Sequence, residues 1–132
     1  MDQFTRNIVD FNQNILGIKQ RLPAMLNDSE FRISMEYLRE EVNELSDAHV
    51  DGDFIGCIDA LVDLRYFAVG VLYKLGLTAE QIELIDQAVH DANMQKKLGK
   101  KEGRGDGVAA DAVKPEGWVS PEERIAAMLD RK

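Results

Sequence analysis

The chain has 132 residues, 45% of them hydrophobic and 30% charged, with a formal charge of -8 and a pI near 4.7. That size and balance suit one soluble domain with a real core and exclude global disorder. The acidic surplus excludes holding nucleic acid or an anionic membrane through the overall field, so a small anionic substrate would need clustered lysines or bound metal beside it.

Residues 1–20 are expected to be helical, because Phe4, Ile8, Phe11, Ile15 and Ile18 recur at helical spacing until Pro23 interrupts. The start MDQFTRNIVDF lacks the basic residues and apolar run of a signal peptide, and the single Cys57 can form no intramolecular disulfide, so a cytoplasmic protein is expected. Neither His49 nor His90 has a local motif pairing it with Cys57, which reads as an inert buried thiol. From Ser29 to Ala48, Phe31, Met35, Leu38, Val42 and Leu45 step by four and three, giving one apolar stripe that should be the buried face of a second helix.

The turn VDGDF at 50–54 then offers Asp53 as an N-cap for a third helix antiparallel to the second. Residues 54–75 are apolar on most sides, so this should be the central helix, buried against several neighbours. Asp59, Asp63 and Arg65 in its middle rule it out as a membrane span. Gly76 reads as its C-cap, and Thr78 with Gln81 resembles a capping box opening a fourth helix whose inner face is Ile82, Ile85, Val89 and Ala92. Residues 99–117, rich in Gly and charge without a period, are expected to be a flexible loop. Within the remaining 118–132, Ser120, Pro121 and Glu123 open a short C-terminal helix ending near Leu129; no strand pattern is visible. The expected fold is all-α, a single domain over 1–132 forming an antiparallel bundle of four to five helices.

Three glutamates, Glu40, Glu41 and Glu44, lie within about one turn of the second helix. Such a group is either a solvated acidic face or loaded with metal, since like charges this close repel. Glu41 and Glu44 fall on one shoulder of the apolar stripe. On the central helix, Asp59 and Asp63 are four apart and share a polar sector with Gly56, Gly70 and Lys74. Carboxylates on a helix destined for burial need partners: Mg²⁺ held between them and the carboxylates opposite, or a structural network with Arg65, Lys74 or an N-terminal residue. Hard oxygen donors without a His or Cys cluster favour Mg²⁺ or Mn²⁺ over Zn²⁺.

REEVNELSDA at 39–48 followed by DALVDLRYF at 59–67 resembles the paired acidic helices of the all-α NTP pyrophosphohydrolases, the superfamily of MazG-like proteins, dimeric dUTPases, dCTP pyrophosphatases and phosphoribosyl-ATP pyrophosphohydrolase. Its EExxE pattern is matched by Glu40, Glu41 and Glu44, and the Asp of its ExxD pattern by Asp63. The Glu of ExxD falls on Ala60; Asp59 points roughly 100° away from that position, either as a metal ligand in altered geometry or in support of the others. VHDANMQKKLG at 89–99 and AVKPEGWVSPEE at 112–123 resemble the C-terminal half of small MazG-like proteins, where Asn93 and Lys96 match an NxxK motif facing the nucleotide. Lys97 lies beside that motif, and Trp118 is either a base-stacking residue or a packing anchor. The resemblance implies Mg²⁺-dependent hydrolysis of a nucleoside triphosphate to monophosphate and pyrophosphate. Glu41, Glu44, Asp59 and Asp63 would hold metal, Glu40 or Glu41 would activate water, and Asn93, Lys96, Lys97 and Trp118 would contact substrate. It also implies a homodimer or dimer of dimers, which would cover the apolar central helix. Phosphoribosyl-ATP is the alternative substrate, which the KPEGW segment disfavours, and a helical nucleotide binder without catalysis is the alternative class, supported by Ala60.

Overall fold

The computed structural model describes residues 2–99 and 111–130. Five helices and two short strands occur among them: α1 (Gln3–Asn14), α2 (Asp28–Val50), α3 (Phe54–Lys74), α4 (Ala79–Met94), β1 (Lys97–Gly99), β2 (Asp111–Val113) and α5 (Glu122–Met128). The all-α expectation holds. The chain forms two compact units, residues 1–82 and 83–132.

In the first unit α3 packs against both α1 and α2. Helix α1 is shorter than its apolar spacing suggests. It ends at Asn14, and Gly17 with φ +68° turns the chain while Ile18 N–H bonds back to the Asn12 carbonyl, so a left-handed glycine and not Pro23 stops it. The Tyr73 hydroxyl donates to the Ile18 carbonyl at 2.7 Å and ties this exit to α3. Asn27 caps α2 by accepting from Glu30 N–H at 2.8 Å, and Asp53 caps α3 by accepting from Gly56 N–H at 2.9 Å.

The apolar stripe of α2 is not its innermost edge. Ser34, Glu41 and Ala48, seven residues apart, are buried, whereas Phe31 and Val42 stay exposed and Met35, Leu38 and Leu45 are half-buried. Small side chains explain this, because Ser34 and Ala48 on α2 and Ala60 and Gly70 on α3 let two backbones approach closely. Nor is α3 covered all round: Phe54 and Ile55 are 74% and 72% exposed, and Ile58, Leu61 and Val62 are exposed too. Two neighbouring helices cover one side of α3 and leave the outer face of its first half bare.

Gly76 closes α3 with φ +95°, and a Cβ there would run into the Leu22 carbonyl. The capping box forms as expected, Thr78 N–H to Gln81 Oε1 at 2.9 Å and Gln81 N–H to Thr78 Oγ1 at 3.1 Å. The inner face of α4 is Ile82, Ala88 and Ala92, with Ile85 half-buried and Val89 exposed. In the second unit the absence of strands is corrected: β1 and β2 pair antiparallel, Leu98 opposite Ala112. The ends of the expected 99–117 loop are therefore ordered, and its centre, 100–110, lies outside the described residues. The C-terminal helix covers Glu122–Met128 only, with Trp118 ahead of it.

Candidate active site

On the paired helices α2 and α3, the charges of Glu44, Asp63 and Asp59 all act on Glu41, so the four carboxylates expected to hold metal are electrostatically linked. Glu41 is 8% exposed, on the α2 edge that packs against α3, and its Oε2 meets no hydrogen-bond partner. The expectation of a partly exposed shoulder is corrected for Glu41 and holds for Glu44, which is exposed one turn on. On α3, Asp63 is half-buried and Asp59 exposed.

Their charges act on one another. Burial, then a hydrogen bond with Glu44, then the charges of Glu44, Asp63 and Asp59 push the Glu41 carboxyl up to about 7. Burial, then Asp59 and Glu44, also raise Asp63. No lysine or arginine figures among these causes. Arg65 instead lies over the Phe4 ring, 3.7 Å from its centroid, and Lys74 lines a separate cavity.

The donor set fits a hard divalent cation in chemistry and charge: all-oxygen, surplus negative, with one buried oxygen unsatisfied. Among the described residues, no three such side chains already converge as a closed cation-holding group, so the carboxylates would have to draw together on binding. Ala60 is 2% exposed. The position where the family pattern carries a glutamate is thus turned inward on α3, while Asp59, one residue back, lies outside. Glu40 is exposed and takes no part in the shifts of Glu41.

The remaining expected site residues belong to the second unit. Asn93 is exposed near the end of α4, and Lys96 and Lys97 follow that helix instead of continuing it. Trp118 is anchored, its indole N–H donating to the Ala92 carbonyl at 2.7 Å. Its ring carries two ammonium groups, Lys96 Nζ at 5.3 Å and Lys114 Nζ at 4.9 Å from the centroid. Lys114 escaped the sequence reading; its only signal was its place four residues before Trp118, across the turn closed by Gly117 with φ +78°. Beside them Arg124 donates to Asp91 at 2.9 Å, and this bond together with that from Gln87 holds the Asp91 carboxyl below its ordinary range.

Among the described residues no helix is long and apolar enough to cross a membrane. No curated protein matches the chain. The family model for phosphoribosyl-ATP pyrophosphohydrolase matches residues 9–93, a span that contains α2, α3 and all four clustered carboxylates and stops short of Lys96 and Trp118. The chain therefore belongs to the phosphoribosyl-ATP pyrophosphohydrolase family, within the MazG-like all-α NTP pyrophosphohydrolase superfamily, and so among the hydrolases of phosphoric anhydrides.

Proposed function

We propose that the chain hydrolyses ribo- or deoxynucleoside triphosphates to the monophosphate and pyrophosphate, with Mg²⁺ as cofactor and Mn²⁺ as a substitute. The observation that carries this reading is the buried Glu41, raised to about 7 by burial and by the charges of Glu44, Asp63 and Asp59. Glu44, Asp59 and Asp63 are the residues to hold the cation, with the orphan oxygen of Glu41 beside them. A bound divalent ion supplies charge neutralisation for the phosphates and polarises the anhydride bond.

The side chains do the rest. A carboxyl that titrates near 7 is matched to taking a proton from water at neutral pH, so Glu41 is a better general base than the exposed Glu40. Water attacks phosphorus, its proton passes to a Glu41 oxygen, and pyrophosphate leaves with the electron pair of the broken P–O bond; no covalent intermediate is needed. Asn93, Lys96, Lys97 and Trp118 are the residues to contact substrate, with Lys96 and Lys114 bringing ammonium groups over the Trp118 ring. With its N–H bonded and cations over its ring, Trp118 serves substrate by holding those ammonium groups.

Hydrolysis of phosphoribosyl-ATP is the second reading, favoured by the family model that matches. A panel of canonical and modified NTPs and dNTPs together with phosphoribosyl-ATP, scored for pyrophosphate release with Mg²⁺, separates the two. Absence of turnover throughout would instead favour a nucleotide binder, the reading that Ala60 supports. Self-association belongs to the same proposal: Phe54, Ile55 and Leu61 on α3 and Phe31 and Val42 on α2 form apolar surface that a homodimer, or a dimer of dimers, would remove from water. The acidic surface and the soluble helices accord with a cytoplasmic protein that binds neither nucleic acid nor membrane.

A further inference from the structure

Two turns of α2 before Glu41, the first unit encloses a cavity of about 50 Å³ between α1, α2 and α3. Three polar side chains line it, one from each helix: Asn12 on α1, Ser34 on α2 and Lys74 at the end of α3. Ser34 is 3% exposed and its hydroxyl has no hydrogen-bond partner. Asn12, also 3% exposed, donates one amide N–H to the Ile8 carbonyl at 2.9 Å, which leaves a second N–H to give. Buried hydroxyls are seldom left unsatisfied, so an occupant of the cavity completes this one.

Size and charge say what that occupant is. A water molecule's share of liquid volume is about 30 Å³, so about 50 Å³ admits a single atom-sized guest and no organic molecule. No Asp or Glu among the described residues lines the cavity, and its one charged group is the half-buried Lys74. A metal cation would meet that charge, whereas an anion would neutralise it, and a charge partly withdrawn from water is costly without a partner. The rest of the wall is apolar and aromatic, including Phe11 set edge-on to Tyr66, which suits a weakly hydrated ion better than a strongly hydrated one.

We propose that this cavity binds one monatomic anion, a chloride or bromide ion, through the Ser34 hydroxyl, the second Asn12 N–H and the Lys74 ammonium. Each helix of the first unit supplies one of these donors, so the ion joins α1 and α2 to the end of α3. The site is separate from the carboxylates. Seven residues of helix put Glu41 about 10 Å along the axis from Ser34, and salt at about 0.1 M screens charges over that distance. Gly70 leaves room for the guest: a Cβ there would sit 3.4 Å from the Asn12 amide nitrogen, in ordinary contact, so alanine would take up part of the space without a collision.

Chlorine NMR line widths of sodium chloride with the full chain in EDTA test this apart from catalysis. The wild type should broaden the line, added bromide should remove the broadening, and sulfate at equal ionic strength should not. Ser34→Ala should weaken chloride binding at least about tenfold, as expected for a lost hydrogen bond to an ion, and Gly70→Ala should weaken it by occupying the space. Lys74→Met should abolish it, and all three should melt with the wild type in chloride-free sulfate buffer. Ser34→Ala decides where Lys74→Met disturbs the fold. Absence of bromide-sensitive broadening overturns the proposal and makes the cavity a water site. Broadening that sulfate removes equally, or that persists unchanged in Ser34→Ala and Gly70→Ala, also overturns it and places the anion on surface lysines.

Discussion

Replacing Glu41 by Gln in metal-free protein probes the charge cluster through stability as well as activity. The Glu41 carboxyl rises from 4.5 to about 7, first through burial and then through Glu44, Asp63 and Asp59. Because the folded-state value lies above the unfolded one, the native chain holds the extra proton between them. Stability is then full below the unfolded value and is lost as pH rises through 4.5 toward about 7. At about 1.4 kcal/mol per unit the whole shift is worth about 3 kcal/mol, and screening by water around the exposed Glu44 and Asp59 leaves about 1–2 kcal/mol. Asp63 is raised too and adds in the same direction. Glutamine keeps the shape and removes the charge. Glu41→Gln should therefore melt with the wild type near about pH 4 and above it near about pH 8, by roughly 4–8 °C at about 4 °C per kcal/mol. Circular dichroism melts in EDTA across that range provide the assay. Added Mg²⁺ should then raise the wild-type melt more than the variant's, and the variant should release no pyrophosphate. A flat wild-type profile, or a variant less stable than wild type at the alkaline end, would refute the reasoning.

Asp63→Asn should weaken Mg²⁺ activation more than Asp59→Asn, since Asp63 is half-buried and feels the charges of Asp59 and Glu44 while Asp59 is exposed; the reverse order in Mg²⁺ titrations of activity would make Asp59 the replacement for the glutamate missing at Ala60. Gly76→Ala should cost more than about 2 kcal/mol in urea unfolding, because it combines a left-handed backbone with a collision at the Leu22 carbonyl. A cost under about 0.5 kcal/mol would mean that the Leu22–Pro23 segment yields. Light scattering at micromolar concentration should report a dimer or tetramer, and Phe54→Glu with Ile55→Glu should shift it toward monomer; a monomeric wild type would remove self-association from the account.

The helices were legible because their signals are local: apolar residues three and four apart, Asp53 as a cap, Thr78 with Gln81 as a capping box, Gly76 as a stop. The carboxylates were legible as a cluster for the same reason, one group per helix on a predicted antiparallel pair. Which face of α2 turns inward was not. Periodicity locates an apolar stripe, but close approach of two backbones rewards small side chains, and that choice buried Glu41 together with Ser34 and Ala48 while Phe31 and Val42 stayed outside. The end of α1 was misplaced because a glycine at positive φ acts more locally than a proline six residues on. Strands of three residues carry no readable period, so β1 and β2 were missed, and with them the ordered ends of the 99–117 segment.

The most direct test of the central claim is pyrophosphate release from nucleoside triphosphates by the purified chain with Mg²⁺, compared with Glu44→Gln and Asp63→Asn. The account predicts monophosphate and pyrophosphate in equal amounts, abolished by EDTA and reduced at least a hundredfold in both variants, with far-UV spectra unchanged. Wild-type turnover in either variant, or none from any nucleotide including phosphoribosyl-ATP, would contradict it.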